Sequence, residues 1–168
     1  MELFWIRVCP YSTLRLGDII MHNYHLTIRE AAPSAADYNI LRRLNGWSEY
    51  LIEDTQIALN NSIFWVAVYD GSQILGMGRV LGDTRTCFYI QDVMVTPERQ
   101  RAGIGSTIMN LIMSYLHRNA MKGAYIGLMS RKGSEEFYEK YQFVSRPNET
   151  MGHGMILPNF SPKNTNAE

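Results

Sequence analysis

The sequence predicts a mixed α/β domain: a mostly antiparallel sheet with a central parallel pair and helices on both faces. Three stretches carry this reading. "IFWVAVYDGSQILGMGRV", from Ile63, reads as a hairpin turning at Asp70-Gly71. "CFYIQDVMV", Cys87 to Val95, is a near-continuous apolar strand of the kind covered on both faces. Ile104, Ile108, Leu111, Ile112, Tyr115 and Leu116 then form a helical stripe, so the chain passes from strand to helix as a crossover requires.

The remaining elements fall into place around these. "HLTIRE" from His25 alternates like a short strand. Pro33 and Ser34 open a helix that Gly46 stops, with Tyr38, Leu41 and Leu44 on one face. A second helix is expected from a Ser48 cap to Asn60 and Asn61. After the long helix, "GAYIGLMS" is a strand and "SEEFYEKY" a short helix. Two brief strands around "FVSRP" and "MGHGMI" close the order βααβββαβαββ. Residues 1–22 stand outside this plan as an N-terminal extension, with Met21 a candidate start; 23–158 form one domain and 159–168 a flexible tail.

Composition narrows the function classes. Basic and acidic residues number 16 each, so nothing global draws the chain to nucleic acid or to an anionic membrane, and any anion site is local. No apolar run approaches a membrane span of roughly 20 residues. "MELFWIRVCP" lacks the basic start and clean apolar run of a secretion signal. Cys9 and Cys87 form neither a C-x-x-C nor a disulfide framework, which fits a reduced, cytoplasmic setting. His22 and His25 have no third ligand at useful spacing, so no metal is expected.

The chemistry concentrates at "VTPERQRAGIGS". A buried strand feeding a helix N-terminus sets a row of backbone N–H groups at the positive end of the helix dipole. Gly103 and Gly105 remove side chains where a ligand must approach the backbone, and Arg99 and Arg101 add charge beside them. These features make an anion cradle, with phosphate its usual occupant. No Lys follows Gly105 as a nucleotide P-loop needs, and Ile108 occupies the third glycine position of the dinucleotide fingerprint.

"QRAGIG", Gln100 to Gly105, resembles the Q/R-x-x-G-x-G/A pyrophosphate loop of the GNAT acetyltransferase superfamily. "FYEKYQF", Phe137 to Phe143, is similar to that family's F-Y-E-K-x-G-F element, and "RPNETMGHGM" to the ending common in small bacterial members. Gln142 departs from the pattern, standing where the family has glycine.

The resemblance implies a GNAT-like acyl-CoA N-acyltransferase fold and an acetyl-CoA-dependent transfer to a primary amine of a small molecule, by direct attack in a ternary complex. It also implies a possible homodimer through the last strands. Backbone groups of Gln100, Arg101, Ala102, Gly103, Ile104, Gly105 and Ser106 would hold the pyrophosphate. Met94 and Val95 would pair with pantetheine like an added strand, with the Met94 N–H donating to the thioester oxygen. A thiol leaving group of pKa about 8.5 can take a proton from a phenol, and Tyr138 matches the family's acid.

The proton acceptor is open. Gln91 stands where some members carry Glu, and an amide cannot serve; Asp92 is the nearest carboxylate, or else a structural hydrogen-bonded one. Strand alternation places it on the face opposite Gln91. A water chain to Asp92, Glu49 or Tyr89 is the alternative. Trp47, Glu49, Tyr50 and His153 line the region where the family's acceptor enters, an aromatic wall suited to a cationic amine. Two other functions stay open: an acyl-CoA sensor without turnover, motivated by Gln91 and Gln142, and a protein or peptide N-acetyltransferase.

Overall fold

The computed structural model describes residues 19–21 and 24–157. The tail expected over 159–168, and all of the 1–22 extension but Ile19–Met21, lie outside the described residues. The chain divides into two compact units, Met1–Leu128 and Met129–Glu168.

Among the described residues of the first unit, six strands lie in sequence order: β1 (Ile19–Met21), β2 (Tyr24–Arg29), β3 (Phe64–Asp70), β4 (Gln73–Gly82), β5 (Cys87–Val95) and β6 (Tyr125–Gly127). Neighbours are antiparallel from β1 to β5, and β5 and β6 are parallel. The mixed α/β class stands, with the parallel pair at one end of the described sheet.

Helices α1 (Ala35–Leu44) and α2 (Ile52–Asn60) cover one face, and α3 (Ile104–Asn119) the other. Toward α1 and α2 the core joins Tyr38, Leu41, Leu59, Ala67, Tyr69, Ile74, Met77 and Met94. Toward α3, Ile104, Ile108 and Ile112 lie over Gly76 and Gly78, whose missing side chains let helix and strand approach. Phe64 stacks on Tyr115 at 4.3 Å between ring centres.

Ser34 caps α1 as expected, its hydroxyl accepting from the Asp37 N–H at 3.0 Å. Gly46, at φ +77°, ends it in a Schellman turn: the Trp47 N–H bonds the Arg42 carbonyl at 2.9 Å and the Gly46 N–H that of Arg43 at 3.0 Å. Two expectations here need correction. Leu44 is 40% exposed, because steps of three drift 60° per step from the apolar stripe, and Arg42 takes the buried place instead. Ser48 does not cap α2, which starts at Ile52 after Leu51. The Ser48 carbonyl is held by the Arg42 Nε at 2.7 Å, and the Tyr50 main chain is paired with Asn39, so 48–50 cannot wind into the helix.

The decisive irregularity is in β5. Met77 pairs with Met94 but Arg79 with Gln91, so β5 carries one extra residue there. Asp92 sits in this bulge at φ +54°, a conformation Asp tolerates better than most residues. Alternation breaks at this point. Ile90 pairs with Val80, and Val93 lies near Gly78, on the α3 face. Gln91, Asp92 and Met94 all turn toward α1 and α2. The expectation that Asp92 and Gln91 occupy opposite faces is therefore wrong.

The second unit holds α4 (Glu135–Glu139) and turns. The two closing strands are not formed. Instead the Asn148 N–H bonds the Met151 carbonyl at 2.9 Å and the Arg146 Nε the Gly152 carbonyl at 2.7 Å, tying 146–152 into a local loop. Gln142, in place of the family's glycine, has φ +68°. It occupies the C′ position of a Schellman turn, with Phe143 N–H to the Tyr138 carbonyl at 3.3 Å and Gln142 N–H to that of Glu139 at 2.9 Å.

Candidate active site

The glycine-rich stretch forms a tight loop into α3. After β5, the Thr96 N–H bonds the Leu75 carbonyl at 2.8 Å, and Pro97–Arg99 makes one 3₁₀ turn. Arg101 (φ +63°) and Gly103 (φ +88°) are both left-handed, and α3 starts directly after them with no side chain capping it. Left-handed residues of this kind turn successive N–H groups into one concavity, and the helix dipole adds its positive end. Arg101, Ala102, Gly103, Ile104, Gly105 and Ser106 thus lie in one loop and first turn. Gln100 plays a different part from the one expected. Its N–H closes on the Pro97 carbonyl at 3.3 Å, and its amide Nε2 donates to the Val95 carbonyl at 3.2 Å, bracing the loop against the end of β5. Arg99 reaches Asp70 at 3.8 Å.

Met94 and Val95 adjoin this cradle. Their pairing with β4 runs to Val95, whereas the ladder between β5 and β6 ends at Tyr89 and Gly127. Beyond Tyr89, the second edge of β5 has no ladder partner among the described residues of this unit. A strand edge of that kind accepts an extended ligand.

Facing α1, a buried polar cluster surrounds the bulge. The Tyr38 hydroxyl donates to Asp92 Oδ2 at 2.8 Å, and the Arg79 Nε to the same oxygen at 2.7 Å. Gln91 Nε2 donates to Oδ1 at 3.3 Å, with Arg42 Nη1 3.9 Å from that atom. Arg79 continues to the Ala58 carbonyl and to Ser62 Oγ, both at 3.0 Å, anchoring the C-terminus of α2. Burial first, then the Asp92 charge, pushes the Tyr38 phenol up to about 12. Both oxygens of Asp92 are engaged, and its side chain is 1% exposed. Tyr38 and Arg42 were missed in the sequence. Their four-residue spacing on the apolar stripe was the available signal, but Arg42 reads equally as an ordinary basic residue of a helix's last turn.

The 47–51 loop is clamped by α1. Asn39 exchanges two hydrogen bonds with the Tyr50 main chain, at 2.8 and 3.2 Å. The Arg42 guanidinium lies 3.9 Å from the Tyr50 ring centre and 5.5 Å from that of Trp47. Glu49 pairs with Arg43 at 2.7 Å. The aromatic wall expected for a cationic substrate thus already holds the protein's own cation, and its carboxylate has its own partner. Asp83 serves the β4–β5 turn, accepting from the N–H groups of Arg85, Thr86 and Cys87 and from the Thr86 hydroxyl. Those bonds, the hydroxyl's foremost, hold its carboxyl well below the usual range.

In the second unit, Tyr138 stands on α4 within an aromatic group, its ring 5.1 Å from Phe137 and 6.3 Å from Phe143. Burial raises its phenol, so it is protonated at neutral pH. His153 is exposed in the loop after it.

A strand that ends at a glycine-rich, dipole-fed helix start frames an anion site, and sequence relationships say which family it belongs to. The family model for the acetyltransferase (GNAT) domain matches residues 60–145. A Staphylococcus aureus protein of unknown function is 32% identical and superposes with a TM-score of 0.73, covering 79% of this chain and 98% of that one. A GNAT-family acetyltransferase of Streptococcus pneumoniae is 27% identical at a TM-score of 0.66, covering 81% and 99%. A GNAT-family acetyltransferase of Brucella melitensis, solved with acetyl-CoA, shares the fold at 18% identity and a TM-score of 0.53, covering 78% of this chain and 95% of that one. An uncharacterized N-acetyltransferase of Pyropia yezoensis is 24% identical over 111 residues, 64% of this chain and 63% of that protein's length. The chain belongs to the GNAT acetyltransferase family. Among the described residues, no helix is long and apolar enough to cross a membrane.

Proposed function

We propose that this protein is an acetyl-CoA-dependent N-acetyltransferase acting on a primary amine of a small molecule, by direct transfer within a ternary complex. The observation that carries the reading is the left-handed pair Arg101 and Gly103, opening an uncapped 16-residue helix at the end of β5. The main chain from Arg101 to Ser106 fits a diphosphate, because its donors converge at a helix N-terminus. The stretch of the β5 edge beyond Tyr89, toward Met94 and Val95, fits the extended pantetheine arm, with the Gln100 amide giving up the Val95 carbonyl as the ligand pairs. The acetyl-CoA complex of the Brucella relative supports the same ligand. When bound, acetyl-CoA supplies an activated thioester. Tyr138, held protonated by burial, is the donor for the departing sulfur. Asp92 is read as a carboxylate that positions the bulge and not as the proton acceptor, because Tyr38, Arg79 and Gln91 occupy its oxygens. Trp47, Tyr50 and His153 are read as acceptor-side residues.

Calorimetry with acetyl-CoA tests the cradle. Wild type binds, and Gly103→Glu abolishes binding, because it sets a bulky anion at a left-handed position facing the phosphates. Tyr138→Phe keeps the affinity and loses about 10²-fold or more in kcat, the scale of a lost general acid. Wild-type protein that takes up no coenzyme ends the proposal. The sensor reading gains from the amide at Gln91; coenzyme binding without turnover across a broad amine panel would establish it.

A further inference from the structure

The bulge in β5 determines the chemical form in which an acceptor can be received. Gln91 and Asp92 share the face toward α1, three and two residues before Met94. An ionised carboxylate only accepts hydrogen bonds, so the neighbouring amide must present its NH₂ group to Asp92, as the 3.3 Å contact shows. With its NH₂ group committed to Asp92, the amide of Gln91 has its carbonyl oxygen left as the acceptor for another donor on this face of β5. Gln91 is half-buried, whereas Asp92 beside it is buried.

The charges around it set the second condition. Gln91 is the register partner of Arg79 on β4, and α1 sends Tyr38 and Arg42 to the same cluster, which Asp92 completes on β5. Two guanidiniums face one carboxylate, leaving a positive excess in a poorly hydrated place. An ammonium arriving there meets like charge and finds Asp92 already bonded, whereas a neutral amine can donate one N–H to Gln91 and keep its lone pair.

We propose that this site takes its acceptor as the neutral amine, with Gln91 as the group that binds and orients it. The substrates are then amines with a substantial unprotonated fraction near neutrality, such as α-amino groups, amino sugars and aromatic amines, in preference to alkylamine side chains. The inference rests on the proposed acetyl transfer. In that step the amine nitrogen bonds the acetyl carbon and the carbon–sulfur bond breaks. One proton leaves nitrogen and one reaches sulfur, so no external base is consumed.

The size of the preference follows from ordinary ionisation. At pH 7.5 about a third of a peptide α-amine is neutral, against roughly 0.1% of a lysine side chain. The test compares a peptide with a free α-amino group and a lysine blocked at its α-amino group. For the first, kcat/KM rises about 20-fold from pH 6.5 to 8.5 and flattens near the amine's own pKa; for the second it rises about 100-fold without flattening. Calorimetry of each amine on CoA-saturated enzyme, in buffers of different ionisation heat, shows about one proton released per blocked lysine bound at pH 7.5. Gln91→Glu supplies a carboxylate, and both profiles then break at one shared pH. A shared break in wild type means that a protein group takes the proton, and the inference falls. It falls equally if the blocked lysine binds without releasing a proton, or if neither amine is turned over while coenzyme binds. Failure to bind coenzyme at all would instead overturn the acetyltransferase reading beneath it.

Discussion

Asp92→Asn separates a structural carboxylate from a catalytic one. The substitution keeps shape and removes charge. It leaves the backbone undisturbed, since Asn tolerates φ +54° as well as Asp does. What remains is two guanidiniums facing no anion, with the Arg42 and Arg79 side chains each only 10% exposed. Removing one partner of a buried ion pair costs about 3–5 kcal/mol, because the surviving charge is desolvated and uncompensated. For a chain of this length each kcal/mol moves Tm by about 2–4 °C, so a fall of about 6–20 °C is expected. Urea unfolding followed by circular dichroism measures the loss, and an unchanged m-value would show that the unfolded surface is the same. A loss below about 1 kcal/mol would refute the electrostatic account of the bulge. Full stability with abolished turnover would return Asp92 to the role of proton acceptor.

Three further outcomes follow from the same geometry. Gly78→Ala would set a Cβ 2.7 Å from Ile108 Cγ2 and 2.9 Å from Ile112 Cδ1, so overpacking of α3 on β4 should cost about 1–3 kcal/mol in thermal or urea unfolding. Gln142→Gly relieves a left-handed side chain but loosens the unfolded chain, for a net gain of about 0.5–1 kcal/mol, read as a small rise in Tm. Tyr38 and Tyr69 are both raised to about 12, chiefly by burial and then by Asp92 and Asp37 respectively. The folded state holds those protons more tightly than the unfolded one. The stability they add is therefore present below about pH 10 and lost as pH climbs toward 12. Of the ten tyrosines, these two should ionise late and together with unfolding in an ultraviolet phenolate titration.

What could be read from the sequence were the places where the backbone restricts residue choice. Gly103 at a left-handed helix entrance, the Asp70-Gly71 turn and Gln142 at a glycine position each announce a conformation that few side chains adopt. Long-range polar contacts leave no such mark. Arg42 has the sequence setting of any basic residue in the last turn of a helix, and only the fold shows it against Tyr50 and beside Asp92. Ser48 had the chemistry of a cap, but the clamp from Asn39 and Arg42 held the chain out of helix. The bulge was hidden most completely. Phe88, Ile90, Asp92 and Met94 are all buried, an unbroken even-numbered pattern that conceals a change of side halfway along.

That change of side makes β5 a splice between two cores. Its first half is keyed to α3 and its second half to α1, so neither layer can be repacked without the strand passing the error to the other. Deleting Gln91 or Asp92 would restore regular pleating with Met94 still opposite Met77 in the α1 layer, and would cost the strand the doubled polar step that meets Arg79.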